Sequence, residues 1–292
     1  MPMARRLTLK HSRMPTGVSK RGIISLTNPV TQVPDSLNGF FTSPEDHPPR
    51  WLLVITAYLD ESGQEQKDGR MVIAGFAGNE DQWRGFATEW QKAIAPRKHL
   101  HVTDLRFKKD RERHTLKRAG GLPEKFGLMP LAASIQFSDY SDLIVGTEDE
   151  HIYHGYLACL QILMIQVLKG LPEGETLEVV FEQQDRYFEI TNMAMHVFSM
   201  AQLPHWRLKD GRSKLAKWGW VAKGYTLLTE PADYFAYALL QIFRDSSSTK
   251  AKWCSPILPK DGNAYGYAVT RSMARRMVTR AQDISRSQGL WK

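Results

Sequence analysis

Residues 51–63 read WLLVITAYLDESG, and after a short polar stretch residues 71–78 read MVIAGFAG. The first run joins β-branched and aromatic residues between Pro48-Pro49-Arg50 and Gly63, which predicts a buried strand. The second run is apolar as well, and the Gln, Lys and Gly69 between them predict a hairpin. Downstream the pattern changes to helices alternating with strands. Asn79-Glu80-Asp81 cap a helix whose apolar members Trp83, Phe86, Trp90 and Ile94 recur at helical spacing, and Pro96 stops it. LMPLAASIQF at 128–137 predicts a third strand, starting after Pro130 or lying at an edge. Residues 151–168, HIYHGYLACLQILMIQVL, are apolar nearly all round, which predicts a helix buried against a sheet.

TLEVVFEQQD predicts a fourth strand ending near Glu182, followed by a helix over about 187–202 with Ile190, Ala194, Val197 and Ala201 on its apolar stripe. WGWVAKG predicts a short fifth strand. PADYFAYALLQIFRD at 231–245 predicts a helix, because Pro231 at N1 loses no hydrogen bond. A last helix is expected over about 266–285, carrying Arg271, Arg275, Arg276 and Arg280. The expected organisation is a basic N-terminal arm (1–50), one α/β domain (51–250) with a mixed five-stranded sheet and flanking helices, and a helical C-terminal extension (251–292).

Composition narrows the function classes. The chain has 292 residues, 42% hydrophobic and 24% charged, enough to bury a sizeable core. No apolar run approaches membrane-spanning length, and the basic N-terminus lacks the apolar stretch of a secretory signal. Two cysteines, Cys159 and Cys254, exclude a disulfide scaffold and a thiolate zinc cluster, and point to a reducing cytoplasm. Thirty-nine Lys and Arg against 31 Asp and Glu give a net charge of +8, a balance that favours polyanions, nucleic acid above all. Basic clusters lie at 106–118, 207–223 and 271–286, with Trp206, Trp218, Trp220 and Trp253 near them as stacking candidates. No GxGxxG, GxxxxGK[ST] or GxSxG occurs in a fitting context, so dinucleotide, P-loop and serine-elbow readings fall away.

Acids at the ends of elements are the informative chemistry. Asp60 closes the first strand, Glu182 closes the fourth, and Asp233 lies in the first turn of the Pro231 helix. An apolar strand hides a carboxylate only at a cost, so Asp60 is expected to surface at the strand end or to be paired. Three carboxylates at one edge of a sheet form an oxygen-rich set that suits Mg²⁺ or Mn²⁺, and such ions activate water for phosphodiester cleavage. The plain structural roles open to the three are an Asx turn, a solvated strand terminus and a helix-dipole acid. Glu61 and Asp185 are further candidates, Asp185 competing with Glu182 in FEQQD. His99, His101 and Asp104 form H-x-H-x-x-D, which would put both histidines on one face of a strand or leave them in a polar loop. His151 and His154 share a helical face and could join a site or serve the edge of the core.

These residues carry a resemblance. YLDESG at 58–63, VIAGFAG, the helix opening with Gln82-Trp83, LHVTDL at 100–105 and EPADYFAYAL at 230–239 are similar to motifs of the DUF3800 family, over about residues 52–245. The resemblance implies a ribonuclease H-like fold and a bacterial metal-dependent nuclease. It places Asp60, Glu182 and Asp233 as metal and catalytic acids, Glu61 in the DESG motif, and Asp104 beside His101 in the histidine segment. Glu230-Pro231 departs from the glutamine–leucine pair common in the family. Two other readings fit the same residues: a non-catalytic nucleic-acid-binding module, and an interaction subunit of a bacterial defence assembly, as a homo-oligomer or with other chains. No membrane partner is expected.

Overall fold

The computed structural model describes residues 54–63, 69–139, 148–184, 186–201, 203–260 and 265–269. The expected arm over 1–50, Asp185 and the arginines of 271–286 lie outside them, as do the side chains of His151 and His154.

Strands β1 (Val54–Ser62) and β2 (Arg70–Gly78) form the expected hairpin, antiparallel from Thr56↔Gly78 to Ser62↔Val72. Helix α1 (Glu80–Ile94) follows at once, started by a capping box. The Asn79 side chain accepts the Gln82 N–H at 3.0 Å, and the Gln82 side chain accepts the Asn79 N–H at 2.8 Å. Helices α2 (Asp110–Gly120) and α3 (Leu122–Lys125) occupy the charged stretch before β3 (Met129–Gln136). The long helix α4 (Glu148–Gly170) leads to β4 (Thr176–Glu182), then α5 (Phe188–Met200), β5 (Leu215–Val221), α6 (Glu230–Asp245), α7 (Thr249–Cys254) and β6 (Tyr265–Val269).

The five expected strands lie side by side in the order β3-β2-β1-β4-β5. Only β2 runs against its neighbours, since β1–β4 and β4–β5 pair in parallel. With helices on both faces, this resembles the ribonuclease H-like topology. Every residue of β4 is buried, as expected of a strand covered on both sides. Under one face lie Leu59, Ile73, Val179 and the apolar side of α4; under the other lie Tyr58, Phe76 and Val180, packed by α1, α2 and α6. Trp83 of α1 donates its indole N–H to the Thr56 carbonyl at 2.9 Å, and Phe235 of α6 meets Phe76 with ring centres 4.9 Å apart.

Three expectations need correction. The sheet has a sixth strand: β6 pairs in parallel with β3 from Leu131↔Tyr265 to Ile135↔Val269, where a helix was expected from residue 266. The sequence YGYAV is aromatic and β-branched, and the open edge of β3 offers it a partner. That pairing starts only after Pro130, so the proline occupies an edge position inside β3 rather than preceding it. The stripe of α5 is rotated. Thr191, Ala194, Met195 and Phe198 are buried, whereas Val197 is 55% exposed. The Thr191 hydroxyl sits 2.9 Å from that of Tyr156 on α4, which turns a polar residue inward. No helix among the described residues is long and apolar enough to cross a membrane.

Candidate functional site

The carboxyl ends of β1, β4 and β5 lie at one edge of the sheet, where open α/β sheets bind their ligands. The register puts Leu59 beside Phe181, so Asp60 and Glu182 follow on adjacent strands. Glu182 pairs with Val221, two residues before Lys223. Tyr58 and Val180 belong to the face covered by α6, and strand alternation puts Asp60 and Glu182 on that same face. The first turn of α6 supplies Asp233.

Asp60 does not surface at a strand terminus. The hairpin continues to Ser62, and Asp60, paired with Ala74, is only 4% exposed. Burial drives its carboxyl well above the usual carboxylate range, and the charges of Glu61, Asp233 and Glu182 push the same way. The Glu61 N–H, donated to Asp60 Oδ1 at 2.9 Å, opposes them. Burial and then the charge of Glu182 raise the Glu61 carboxyl to about 8, although part of that residue reaches solvent. Glu182 is raised by burial and by Asp233, with Lys223 and His101 pulling it down. Asp60, Glu61, Glu182 and Asp233 therefore share one electrostatic corner.

A polar loop packs α6 against this corner. His99 and His101 are not on a strand; they precede a single 3₁₀ turn, Val102–Asp104, yet both reach the first turn of α6. His99 Nδ1 lies 3.0 Å from Glu230 Oε1, and His101 Nδ1 lies 2.9 Å from Asp233 Oδ2. The Val102 N–H also donates to Asp233 Oδ2, at 3.0 Å. Lys223 Nζ sits 3.0 Å from His101 Nε2. A neutral imidazole protonated at Nδ1 satisfies both contacts, donating to Asp233 and accepting from Lys223. The Asp233 hydrogen bond is the main reason that the His101 pKa is raised. Asp104 ends the 3₁₀ turn with its side chain exposed, close enough for its charge to favour protonated His101 but outside the acidic corner.

Glu230 is the residue whose role the sequence reading missed. It is 6% exposed, and its Oε2 accepts the Trp90 indole N–H at 2.8 Å. Burial raises its carboxyl to about 8, against the Trp90 and Leu100 N–H donors. The visible signal was the pair of spacings: two acids three apart on a helix, opposite two histidines two apart in an extended loop. Lys223 was noted only as the end of a basic stretch. Nothing local to it marks the meeting with His101, which depends on β5 lying beside β4.

The donor set is chemically suited to a hard divalent cation, being rich in carboxylate oxygen and short of positive charge. Its arrangement is looser than its composition: among the described residues no group of three or more His, Cys, Asp or Glu is disposed to hold a metal ion. Comparison with protein-family models, curated proteins and solved structures finds no match.

Proposed function

We propose that the chain is a divalent-metal-dependent nuclease acting on phosphodiester bonds of DNA or RNA, a relative of the DUF3800 proteins that its motifs resemble. The observation that carries this reading is the placement of Asp60 and Glu182 at the carboxyl ends of adjacent parallel strands, on the face covered by α6, whose first turn supplies Asp233. Several acids in one buried corner hold protons against their ordinary tendency unless a cation compensates them. Asp60, Glu182 and Asp233 would hold Mg²⁺ or Mn²⁺, with Glu61 beside them. Such an ion, when bound, lowers the pKa of water and offsets charge on a phosphoryl oxygen.

The chain's own groups supply orientation. His101 and the Val102 N–H fix the Asp233 carboxylate through Oδ2. Lys223 brings a positive charge to Glu182 and Glu61 and touches His101, where it can meet a phosphate. The hairpin holds Asp60 between β2 and β4 on a rigid strand, which suits a group that must not move.

A second reading, nucleic-acid binding without cleavage, is favoured by the lack of a ready-made metal-ligand group among the described residues. One screen separates the two. Single- and double-stranded DNA and RNA are incubated with Mg²⁺ or Mn²⁺ and either wild type or Asp60→Asn. Cleavage that needs the metal and falls to background in Asp60→Asn supports the nuclease. Salt-sensitive binding with no cleavage by wild type supports the binding module.

A further inference from the structure

Between β5 and α6 the chain makes a tight turn, Ala222-Lys223-Gly224-Tyr225, against the acidic corner. The Tyr225 N–H donates to the Ala222 carbonyl at 2.9 Å, and Gly224 takes the left-handed φ of +71° that the third residue of a type II turn requires. The turn is held from both sides. At its start the Gln183 N–H donates to the Val221 carbonyl at 2.8 Å, which ties the end of β5 to the residue after Glu182. The Gly224 N–H is hydrogen-bonded to the Glu182 carboxyl, and Lys223 Nζ lies 3.0 Å from His101 Nε2. At its end the Leu228 N–H donates to the Thr226 hydroxyl at 3.2 Å, and Leu228 is buried in the core that α6 covers. Tyr225 nevertheless stands 63% exposed, more than any other large apolar residue among the described ones.

We propose that Tyr225 is a stacking platform for the base of an unpaired nucleotide whose phosphate is met by Lys223. The inference deepens the nucleic-acid reading above and rests on it. Lone exposed tyrosines are common on protein surfaces and call for no explanation. What sets Tyr225 apart is its support and its address. Its Cα follows that of Gly224 at about 3.8 Å, the span of one peptide unit, and the Gly224 N–H meets Glu182. A ring held beside a cation offers what one nucleotide needs, a π-face for the base and a charge for the phosphate. A base seated there brings its phosphodiester to the edge where Asp60, Glu182 and Asp233 lie. Stacking uses a base face that a duplex keeps covered, so the platform selects single-stranded stretches and nucleotides turned out of a duplex. It reads no base edge, so it adds affinity with little sequence preference.

The test is binding of a labelled oligothymidylate and of an abasic strand of equal length, which keeps sugar and phosphate and lacks bases. Both are measured across a salt series, in Ca²⁺ and in EDTA, with wild type, Tyr225→Phe and Tyr225→Leu. Phenylalanine keeps the ring, and leucine keeps apolar bulk without it. The exposed position accommodates either side chain, and thermal melting verifies that each variant is folded. Tyr225→Leu is expected to bind oligothymidylate about fivefold to a hundredfold more weakly, the range that one stacked base is worth. Its affinity for the abasic strand and its slope of log affinity against log salt are expected to match wild type, because no phosphate contact is lost. Tyr225→Phe is expected to match wild type throughout.

Equal weakening on both strands overturns the proposal, since the ring then does something other than hold a base. So do an unchanged affinity in Tyr225→Leu, a failure of Tyr225→Phe to restore it, and an absence of strand binding by wild type in both media. Base-dependent binding through Tyr225 with no cleavage in any metal would remove the nuclease reading alone. Asp60-dependent cleavage whose KM for single strands is unchanged in Tyr225→Leu would remove the platform alone.

Discussion

Replacing Glu230 by glutamine is expected to leave stability unchanged near pH 4–5 and to make the protein increasingly more stable than wild type as the pH rises. The glutamic acid is 6% exposed and sits between Trp90 and His99. Its carboxyl is raised from 4.5 to about 8, chiefly by burial and further by Asp233 and Glu182. A pKa that is higher in the folded than in the unfolded chain means that folding takes up a proton between those two values. Stability contributed by the protonated group is complete below about 4.5, declines as pH climbs to about 8, and is flat beyond. At about 1.4 kcal/mol per pH unit the ceiling is roughly 5 kcal/mol. Relaxation and water entry reduce this to about 2–4 kcal/mol. Glutamine mimics the protonated form, since its oxygen can accept from Trp90 while its amide donates to His99. Urea unfolding of both proteins at about pH 5, 7 and 9 reads the difference directly. A wild-type-to-variant difference that is constant over this range would refute the reasoning, as would a variant less stable than wild type at the alkaline end.

Two other perturbations follow from the same geometry. Gly75→Ala puts a Cβ 1.8 Å from the Tyr58 carbonyl oxygen, backbone that cannot swing aside, so a loss of about 2 kcal/mol or more and a lower melting temperature are expected. Asp233→Asn removes the main cause of the raised His101 pKa, so an NMR titration should find that histidine deprotonating at a lower pH than in wild type; an unmoved titration would mean that the contact does not form.

Most of the sheet was legible because its signals are local. WLLVITAYLDESG and MVIAGFAG carry their own strand character, and Asn79 with the Trp83-Phe86-Trp90 spacing marks a helix without reference to anything distant. What escaped depended on partners. Tyr265–Val269 became a strand because β3 had an open edge, while the arginines beyond it carried a helical spacing. Asp60 reads as a strand-end acid that either surfaces or is paired, and only the length of β2, which carries pairing on to Ser62, decides that it is buried. The H-x-H spacing was visible, but its partners Glu230 and Asp233 come from a helix some 130 residues later.

The corner at the carboxyl edge is drawn from residues 60, 61, 182 and 233, with His101 packed against it, and this has a consequence for how the protein is made. As the chain emerges from the ribosome, the β1–β2 hairpin can form early, because its strands are neighbours in sequence. Asp60 then waits for β4, and Asp233 and its histidine partner wait for α6. No nascent or prematurely ended chain lacking α6 contains the complete constellation. A ribosome-bound fragment that lacks α6 therefore cannot assemble these acids, and the constellation is complete only after nearly the whole domain has been synthesised.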